Sequence, residues 1–204
     1  MVELPSSTDI EEFDPWMGSL SGLRQLVLNG MEKLVSLPFH NCFKLNQEAR
    51  DLIIQTPTNE YAVFPAQEVP QCFTYRSSGS SLTVKLTQMP LGTSTKFKAC
   101  IILPGDVDEN DLRCWRRAYV CCRITSRGND LNTCFKIAER VVPGHLYAFE
   151  VEVETEEMTS TELVFVFEIQ FDYSLVERSE EWEIKECGML QLLEVPSLHA
   201  DKHY

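Results

Sequence analysis

The chain has 204 residues, of which 44% are hydrophobic and 10% aromatic. This length corresponds to about one domain, at roughly 100–200 residues per domain, with a short appendage, and this composition can build a hydrophobic core. The 31 Asp and Glu residues outnumber the 18 Lys and Arg residues, which gives a net charge of −13. So acidic a balance argues against nucleic acid or an anionic membrane surface as a partner.

The sequence contains no segment of membrane-spanning length. The longest obvious apolar run, Leu163–Phe167, has five residues, whereas a bilayer requires roughly 18–20. The acidic N-terminal segment 1–14 also lacks the apolar core of a signal peptide. We therefore expect a soluble protein, located in the cytoplasm or the nucleus.

The first forty residues carry the leucine spacing of a leucine-rich repeat. The pattern is formed by Leu20, Leu23, Leu26, Leu28, Leu34 and Leu37-Pro38. It predicts a short strand at Leu26 and Leu28. An amphipathic helix is the alternative, but the mid-segment Asn29-Gly30 and the closing Leu-x-x-Leu-Pro favour the repeat. Since about three repeats are needed for a stable stack, we expect the tail of a longer solenoid.

Segment 41–55 has the best helical pattern in the chain. Asn46 is placed to cap the helix, and Thr56-Pro57 ends it. The predicted apolar face consists of Leu45, Ala49, Leu52 and Ile53. We expect this helix to dock between the repeat and whatever follows.

From about residue 60 the apolar residues recur with a period of two. The strand-like runs are Tyr61–Phe64, 82–86, 97–103, Ala118–Ile124, Thr133–Ile137, 147–153, 163–171 and Trp182–Leu193. Eight or nine strands without intervening helices predict a mainly β fold, an antiparallel β-sandwich or jelly roll. The polar residues that alternate along these strands argue against a parallel sheet buried on both faces.

Most of the negative charge is local. Residues 150–186 contain 13 acidic residues against Arg178 and Lys185, which accounts for −11 of the −13. We interpret them as solvated strand faces and turns that discourage association through strand edges. An acidic face that meets a basic partner is the alternative.

Sequence motifs for catalysis or metal binding are lacking. There is no CxxC pair, no G-x-S-x-G and no H-E-x-x-H, and the calcium-loop-like segment 106–117 lacks the required Gly and Glu. We expect no catalytic residue, no metal and no cofactor. Four of the eight cysteines lie in apolar or strand-like contexts and are predicted to be buried thiols, namely Cys42, Cys100, Cys121 and Cys122.

One cluster combines basic and aromatic side chains. It consists of Arg113, Trp115, Arg116 and Arg117. Arg and Trp are typical anchors of protein interfaces, so these residues are the candidate partner-binding site. In the alternative, Trp115 opens the next strand and packs inward while the arginines stay solvated.

Several motifs together resemble a known family. In chain order they are Asn41–Asn46, Phe64-Pro65, Glu68-Val69-Pro70, 73–86, 97–100, 162–165 and 182–189. Behind a leucine-rich repeat, this order resembles the C-terminal end of plant Toll/interleukin-receptor-type NLR (TIR-NBS-LRR) disease-resistance proteins. The part from about 58 to 195 resembles their post-repeat jelly-roll/Ig-like domain, called C-JID.

The resemblance implies four regions. Residues 1–38 are a leucine-rich-repeat remnant, 39–57 a connector helix, 58–195 a C-JID-like β-sandwich and 196–204 a polar tail. The motif residues Glu68–Pro70 and 76–81 are expected to set a strand entry and a turn, and 184–188 to form the closing strand.

The resemblance also implies a function. In that family, loops at one end of the sandwich and the concave repeat face contact pathogen effectors, and an N-terminal domain then cleaves NAD. This chain shows no such domain and no Walker A motif, so we expect a non-enzymatic recognition module whose partners are an effector or other receptor domains. Recognition is expected in the loops 87–95, 104–117, 126–132 and 173–181.

Two other functions remain open. A carbohydrate-binding jelly roll would need an exposed aromatic platform, for which Trp115, Tyr119 and Trp182 are the candidates. A truncated paralogue without independent activity is the second alternative.

Overall fold

The structure is a computed structural model that describes most of the second half of the chain and parts of the first. The described residues are 2–3, 26–27, 36–39, 42, 45–55, 61–87, 93–105, 118–138, 141–155, 158, 160–171 and 183–192. Twelve strands and one helix are present in this part. The strands are β1 Val2–Glu3, β2 Leu26–Val27, β3 Ser36–Pro38, β4 Tyr61–Pro65, β5 Tyr75–Ser78, β6 Ser81–Lys85, β7 Ser94–Ile102, β8 Ala118–Ser126, β9 Asn129–Ala138, β10 His145–Glu154, β11 Glu162–Phe171 and β12 Glu186–Leu192. The helix, α1, is Gln47–Gln55.

Two sheets form the body of the fold. The larger has six strands in the order β3-β4-β10-β7-β12-β5, and the smaller has four in the order β6-β11-β8-β9. All neighbours are antiparallel except β3 and β4, which are parallel. The predicted mainly β fold with an antiparallel sandwich and one helix is confirmed.

The inner faces of the two sheets pack together through aromatic side chains. Phe97 of β7 meets Phe165 of β11 edge to face, with ring centroids 5.4 Å apart. Phe149 of β10 and Phe167 of β11 make a second such contact at 6.1 Å. All four rings are buried, so alternate residues of the period-two pattern form the core, as predicted.

Part of the outer face of the six-stranded sheet is apolar as well. Along parts of β4, β7 and β10, the residues that point away from the sandwich are fully buried, as in Phe64, Cys100 and Ala148. They are covered by α1, by Phe39, Cys42 and Leu45, and by the segment 66–73. A second apolar layer replaces water over this part of the sheet, whereas Glu150, Glu152 and Glu154 farther along β10 are half-buried or exposed, as the alternating pattern predicts.

The helix that provides this layer begins as predicted. The side-chain Oδ1 of Asn46 accepts a hydrogen bond from the Ala49 amide at 2.9 Å, which is an N-cap. Ala49 and Ile53 are buried as expected, but Ile54 is buried where Leu52 was predicted, and Leu52 is only half-buried.

Three short strands precede this helix. β1 and β2 pair in parallel, with Val2 opposite Leu26, a separation of 24 residues that falls within the period of leucine-rich repeats. The strand predicted at Leu26 and Leu28 is confirmed at Leu26, and Leu28 lies outside the described residues. α1 lies beside both β2 and β4.

Two turns differ from the prediction. The loop predicted at 126–132 is a hairpin whose turn is Arg127-Gly128, with φ of 49° and 83°, and β9 starts at Asn129. Positive φ at both residues is typical of a type I′ turn. Within the predicted turn 76–81, residues 76–78 belong to β5 and only Gly79 and Ser80 turn the chain.

The cysteines follow the prediction in their burial. Cys42, Cys100, Cys121 and Cys122 are all buried, and so is Cys187. None of the cysteines that the structure describes forms a disulfide. Among the described residues, no helix is long and apolar enough to span a bilayer.

The contact between β12 and the second apolar layer is sensitive to a single methyl group. A Cβ at Gly188 would lie 2.6 Å from Cγ1 of Val69 and 3.0 Å from Sγ of Cys100. We predict that Gly188→Ala lowers the free energy of unfolding by about 1–3 kcal/mol, as overpacking does. Urea denaturation measures this. Gly105→Ala is the control, since its Cβ would meet only Cα of Gly144 at 3.7 Å; equal losses in both variants would contradict the packing account.

The burial of cysteine thiols should make the folded protein less stable at alkaline pH. Burial raises the pKa of Cys42 to about 11, and burial with a smaller contribution from Glu186 raises that of Cys187 to about 12. In the unfolded chain, a cysteine thiol has its ordinary pKa of 9.0. The free energy of unfolding should therefore fall as the pH rises above 9.

This fall should be smaller when these thiols are removed. Lys98 acts in the opposite direction, because burial lowers its pKa. A Cys42→Ala, Cys187→Ala variant should lose less stability between about pH 8.5 and 10.5 than the parent, although it is less stable at pH 7. An unchanged pH slope in urea denaturation would contradict the assignment.

Candidate recognition site

The two connections between β7 and β8 and between β11 and β12 begin and end at the same place. The first runs from Ile102 to Ala118 and the second from Phe171 to Glu186. Ile102 pairs with Glu186 across β7 and β12, and Ala118 pairs with Phe171 across β8 and β11. Both connections therefore join the same two points at one end of the sandwich, here called the groove end.

The four loops predicted to recognise a partner divide between the two ends. Loops 104–117 and 173–181 belong to the two connections at the groove end. Loop 87–95 joins β6 to β7 and loop 126–132 joins β8 to β9, both at the opposite end. The predicted loop 87–95 is also too long, because β7 already begins at Ser94. The four loops in which recognition is expected therefore lie two at each end of the sandwich.

A network of backbone hydrogen bonds fixes the groove end. The amide of Gly144 donates to the carbonyl oxygens of Leu103 and Pro104 at 3.2 and 3.1 Å, and its own carbonyl accepts from the Ala66 amide at 3.2 Å. Gly144 has a φ of +68°, a conformation that side chains with a Cβ rarely adopt. The Lys185 amide donates to the carbonyl oxygen of Ile102 at 2.9 Å. These hydrogen bonds fix the described ends of both connections at the groove end, and we call the hydrogen-bonded residues the frame.

A carboxylate holds the turn that follows β4. Oε2 of Glu186 accepts a hydrogen bond from the Val69 amide at 3.0 Å. Beside it, Nζ of Lys185 donates to the carbonyl oxygen of Gln67 at 2.5 Å. The start of β12 thereby holds segment 66–69, and Val69 is buried against the sheet.

A groove of about 890 Å³ opens beside this frame. It lies between α1 and the ends of β4, β7, β10 and β12. Its lining includes Arg50, segment 65–68, Leu103, Gly144, Lys185 and Glu186. Gly105, the last described residue before segment 106–117, also lines it.

Arg50 is an unusual member of this lining. Its Nε is buried and has no hydrogen-bond acceptor within the part of the chain that the structure describes. Such a donor loses its hydration without replacement, which is rare in folded proteins. Sequence reasoning missed Arg50, because a basic residue on a helix is ordinarily a solvated one.

The predicted partner-binding residues lie outside the described residues. Arg113, Trp115, Arg116 and Arg117 all fall in segment 106–117, and Trp182 falls in segment 172–182. Of the proposed carbohydrate platform, only Tyr119 is described. It is half-buried on the outer face of the four-stranded sheet, the face on which the exposed ring of Phe135 also lies.

The described acidic residues of 150–186 are mostly exposed or half-buried, and several have basic neighbours. Glu162 lies 3.6 Å from Lys85, and Glu168 lies 3.0 Å from Arg123. Glu150 lies 3.4 Å from the buried Nζ of Lys98. Burial lowers the pKa of Lys98, and Glu150 partly opposes that effect. This arrangement agrees with solvated strand faces for these residues.

The fold is a β-sandwich in which two long connections, 103–117 and 172–185, begin and end at the same frame. The model of the C-JID domain matches residues 64–195. The chain therefore belongs to the C-JID domain family. Its predicted resemblance to the C-terminal part of plant TIR-NBS-LRR disease-resistance proteins is confirmed.

Three relatives from Arabidopsis thaliana illustrate the similarity. Probable disease resistance protein RPP1 is 38% identical over 94% of this chain and 18% of its own length. Disease resistance protein TAO1 is 43% identical over 65% of this chain and 11% of its own. Disease resistance-like protein DSC2 is 31% identical over 82% of this chain and 16% of its own length. The chain spans less than a fifth of the length of these relatives.

The hydrogen bond from Val69 to Glu186 predicts a local effect of mutation. Glu186→Ala should leave the Val69 amide without its acceptor and lower the free energy of unfolding by about 1–2 kcal/mol. Hydrogen exchange followed by NMR should show the Val69 amide exchanging at least about tenfold faster.

Two further variants separate the hydrogen bond from the charge. Glu186→Gln keeps an acceptor oxygen and should restore much of the protection. Glu183→Ala removes an exposed carboxylate nearby and should leave Val69 protected. If all three variants exchange alike, Glu186 does not hold the turn.

Proposed function

We propose that the chain is a non-enzymatic protein-recognition module of a plant intracellular immune receptor. In this proposal it acts in the cytoplasm or the nucleus and contacts a pathogen effector through the groove end, so that binding triggers a defence response. The observation that carries the proposal is the shared anchoring of the two connections, 103–117 and 172–185, on one frame.

The arrangement suits recognition because a rigid scaffold can carry variable loops. Connections vary without disturbing the core from which they emerge. Here Leu103 and Ile184, near the described ends of the two connections, belong to the buried core, so both connections emerge directly from it. Four interface-type side chains, Arg113, Trp115, Arg116 and Arg117, occur in one of the connections.

The opposite end offers less to a partner. There β8 and β9 are joined by the two-residue turn Arg127-Gly128. The cavity of about 560 Å³ at that end is lined by Thr93, Ser94, Asn132, Glu152 and Glu154, which are short or acidic side chains. The groove end therefore provides the larger and more varied surface.

Other receptor domains are further partners in this proposal. α1 contributes Arg50 to the groove and lies beside β2 of the predicted repeat. A protein bound in the groove would thus lie next to the repeat side of the helix. This placement agrees with joint recognition by the repeat and the sandwich, which the family resemblance implies.

A binding panel tests the proposal. The chain is immobilised and presented with a panel of purified effector proteins from plant pathogens, and affinities are measured by biolayer interferometry. We expect at least one effector to bind with micromolar or tighter affinity. Combining Trp115→Ala, Arg116→Ala and Arg117→Ala should weaken it at least tenfold, about 1.4 kcal/mol, with little change in melting temperature.

A charge-removing variant at the opposite end serves as control. Arg127→Asn removes an exposed positive charge, and Asn tolerates the positive φ at this position. It should bind the effector as the parent does. Binding to no effector, full affinity in the triple variant, or an equal loss in Arg127→Asn would contradict the proposal.

A further inference from the structure

The groove contains a hydrogen-bond donor whose acceptor is missing from the described structure. Nε of Arg50 is buried and unpaired, although the side chain as a whole is only half-buried and lines the groove. A buried donor without an acceptor destabilises the free protein. Such a group calls for an explanation, and a bound group that supplies the acceptor is one that a groove can accommodate.

The described carboxylates near Arg50 have other partners or remain in solvent. Glu186 accepts the Val69 amide and lies 3.9 Å from Lys185. Asp51, the next residue of α1, accepts a hydrogen bond from Gln47. Glu68 is exposed on the groove wall. Within the described part of the chain, none of these groups accepts a hydrogen bond from Nε of Arg50.

We propose that the groove binds a segment of a partner protein through a carboxylate that pairs with Arg50. The guanidinium of Arg presents a planar fork of donors that matches the two oxygens of a carboxylate. Nε is one arm of this fork. This proposal rests on the proposed function, because it takes the partner to be the effector bound at the groove end.

The charges of the lining define the flanking chemistry of that segment. Two cationic side chains, Arg50 and Lys185, share the groove with two carboxylates, Glu68 and Glu186. A doubly charged phosphate would meet these carboxylates and the acidic surroundings of a chain with net charge −13. A partner segment with one carboxylate between two basic residues would instead place its negative charge at Arg50 and a positive charge near Glu68.

The position of the groove favours a polypeptide partner. The connection 103–117 leaves the frame at Gly105 and the connection 172–185 returns at Lys185, and both residues line the groove. A polypeptide seated in the groove would therefore lie beside the described ends of both connections. A volume of about 890 Å³ lies at the upper end of the range for ligand sites, roughly 300–1,000 Å³.

NMR of the Arg50 side chain tests the pairing directly. The full chain is labelled with ¹⁵N, and the Nε–Hε signal of Arg50 is assigned by its loss in Arg50→Lys. The probe is a blocked pentapeptide with a central glutamate between glycines and a lysine at each end. We expect it to shift the Arg50 signal, and its glutamine counterpart to leave the signal in place.

Inorganic phosphate is titrated separately to distinguish the sources of an anion. If phosphate shifts the signal and the glutamate peptide does not, the proposal is wrong. No shift with either probe also overturns it. Binding of the peptide should weaken with salt, because exposed charges contribute to it.

Stability distinguishes a binding role from a structural one. Arg50→Met removes the unpaired donor and keeps an apolar stem over the groove, so its melting temperature should rise or stay constant while the peptide no longer binds. Arg76→Gln removes an exposed positive charge on β5 and should bind the peptide unchanged. A clear fall in the melting temperature of Arg50→Met would show that Arg50 supports the fold instead.

The effector panel separates this inference from the proposed function. If an effector loses affinity in the Trp115, Arg116 and Arg117 variant but binds Arg50→Gln fully, the proposed function holds and the inference fails. If the peptide pairs with Arg50 but no effector binds, the groove chemistry holds and the proposed partner is wrong. A loss of effector affinity of at least about tenfold in Arg50→Gln supports both.

Discussion

Part of the six-stranded sheet is apolar on both of its faces, and the rest of the structure depends on this constraint. Its inner face packs against the four-stranded sheet, whereas its outer face would expose Phe64, Cys100 and Ala148 to water without a cover. The hydrophobic effect therefore requires the helix and the segment 66–73 to lie on that side. Their docking brings Arg50 to the groove.

The residues at the groove end differ in whether their hydrogen-bonding groups already have partners within the chain. Residues of the frame, such as Gly144 and Glu186, use their hydrogen-bonding capacity within the chain itself. Nε of Arg50 does not, so it remains available to an acceptor from a partner.

The features that could be predicted from the sequence are local ones, such as single strands and the helix cap. The features that were missed depend on which residues pair between strands. The period-two runs and the cap at Asn46 identified most strands and the helix. The polar strand β5, with Tyr75 and Ser78 at its ends, carries no apolar alternation and was missed. The two ends of the sandwich could not be told apart, because only the pairing of Ile102 with Glu186 and of Ala118 with Phe171 shows which connections are neighbours. The acceptor-free Nε of Arg50 likewise has no signature in the sequence.

Hydrogen exchange measured by mass spectrometry on the complex with an effector tests the central claim most directly. The account predicts that binding slows exchange at residues 103–105 and 183–186 and in the connections that they flank, and leaves the turn Arg127-Gly128 unchanged. Protection confined to the opposite end, around 86–93 and 127–128, would contradict it.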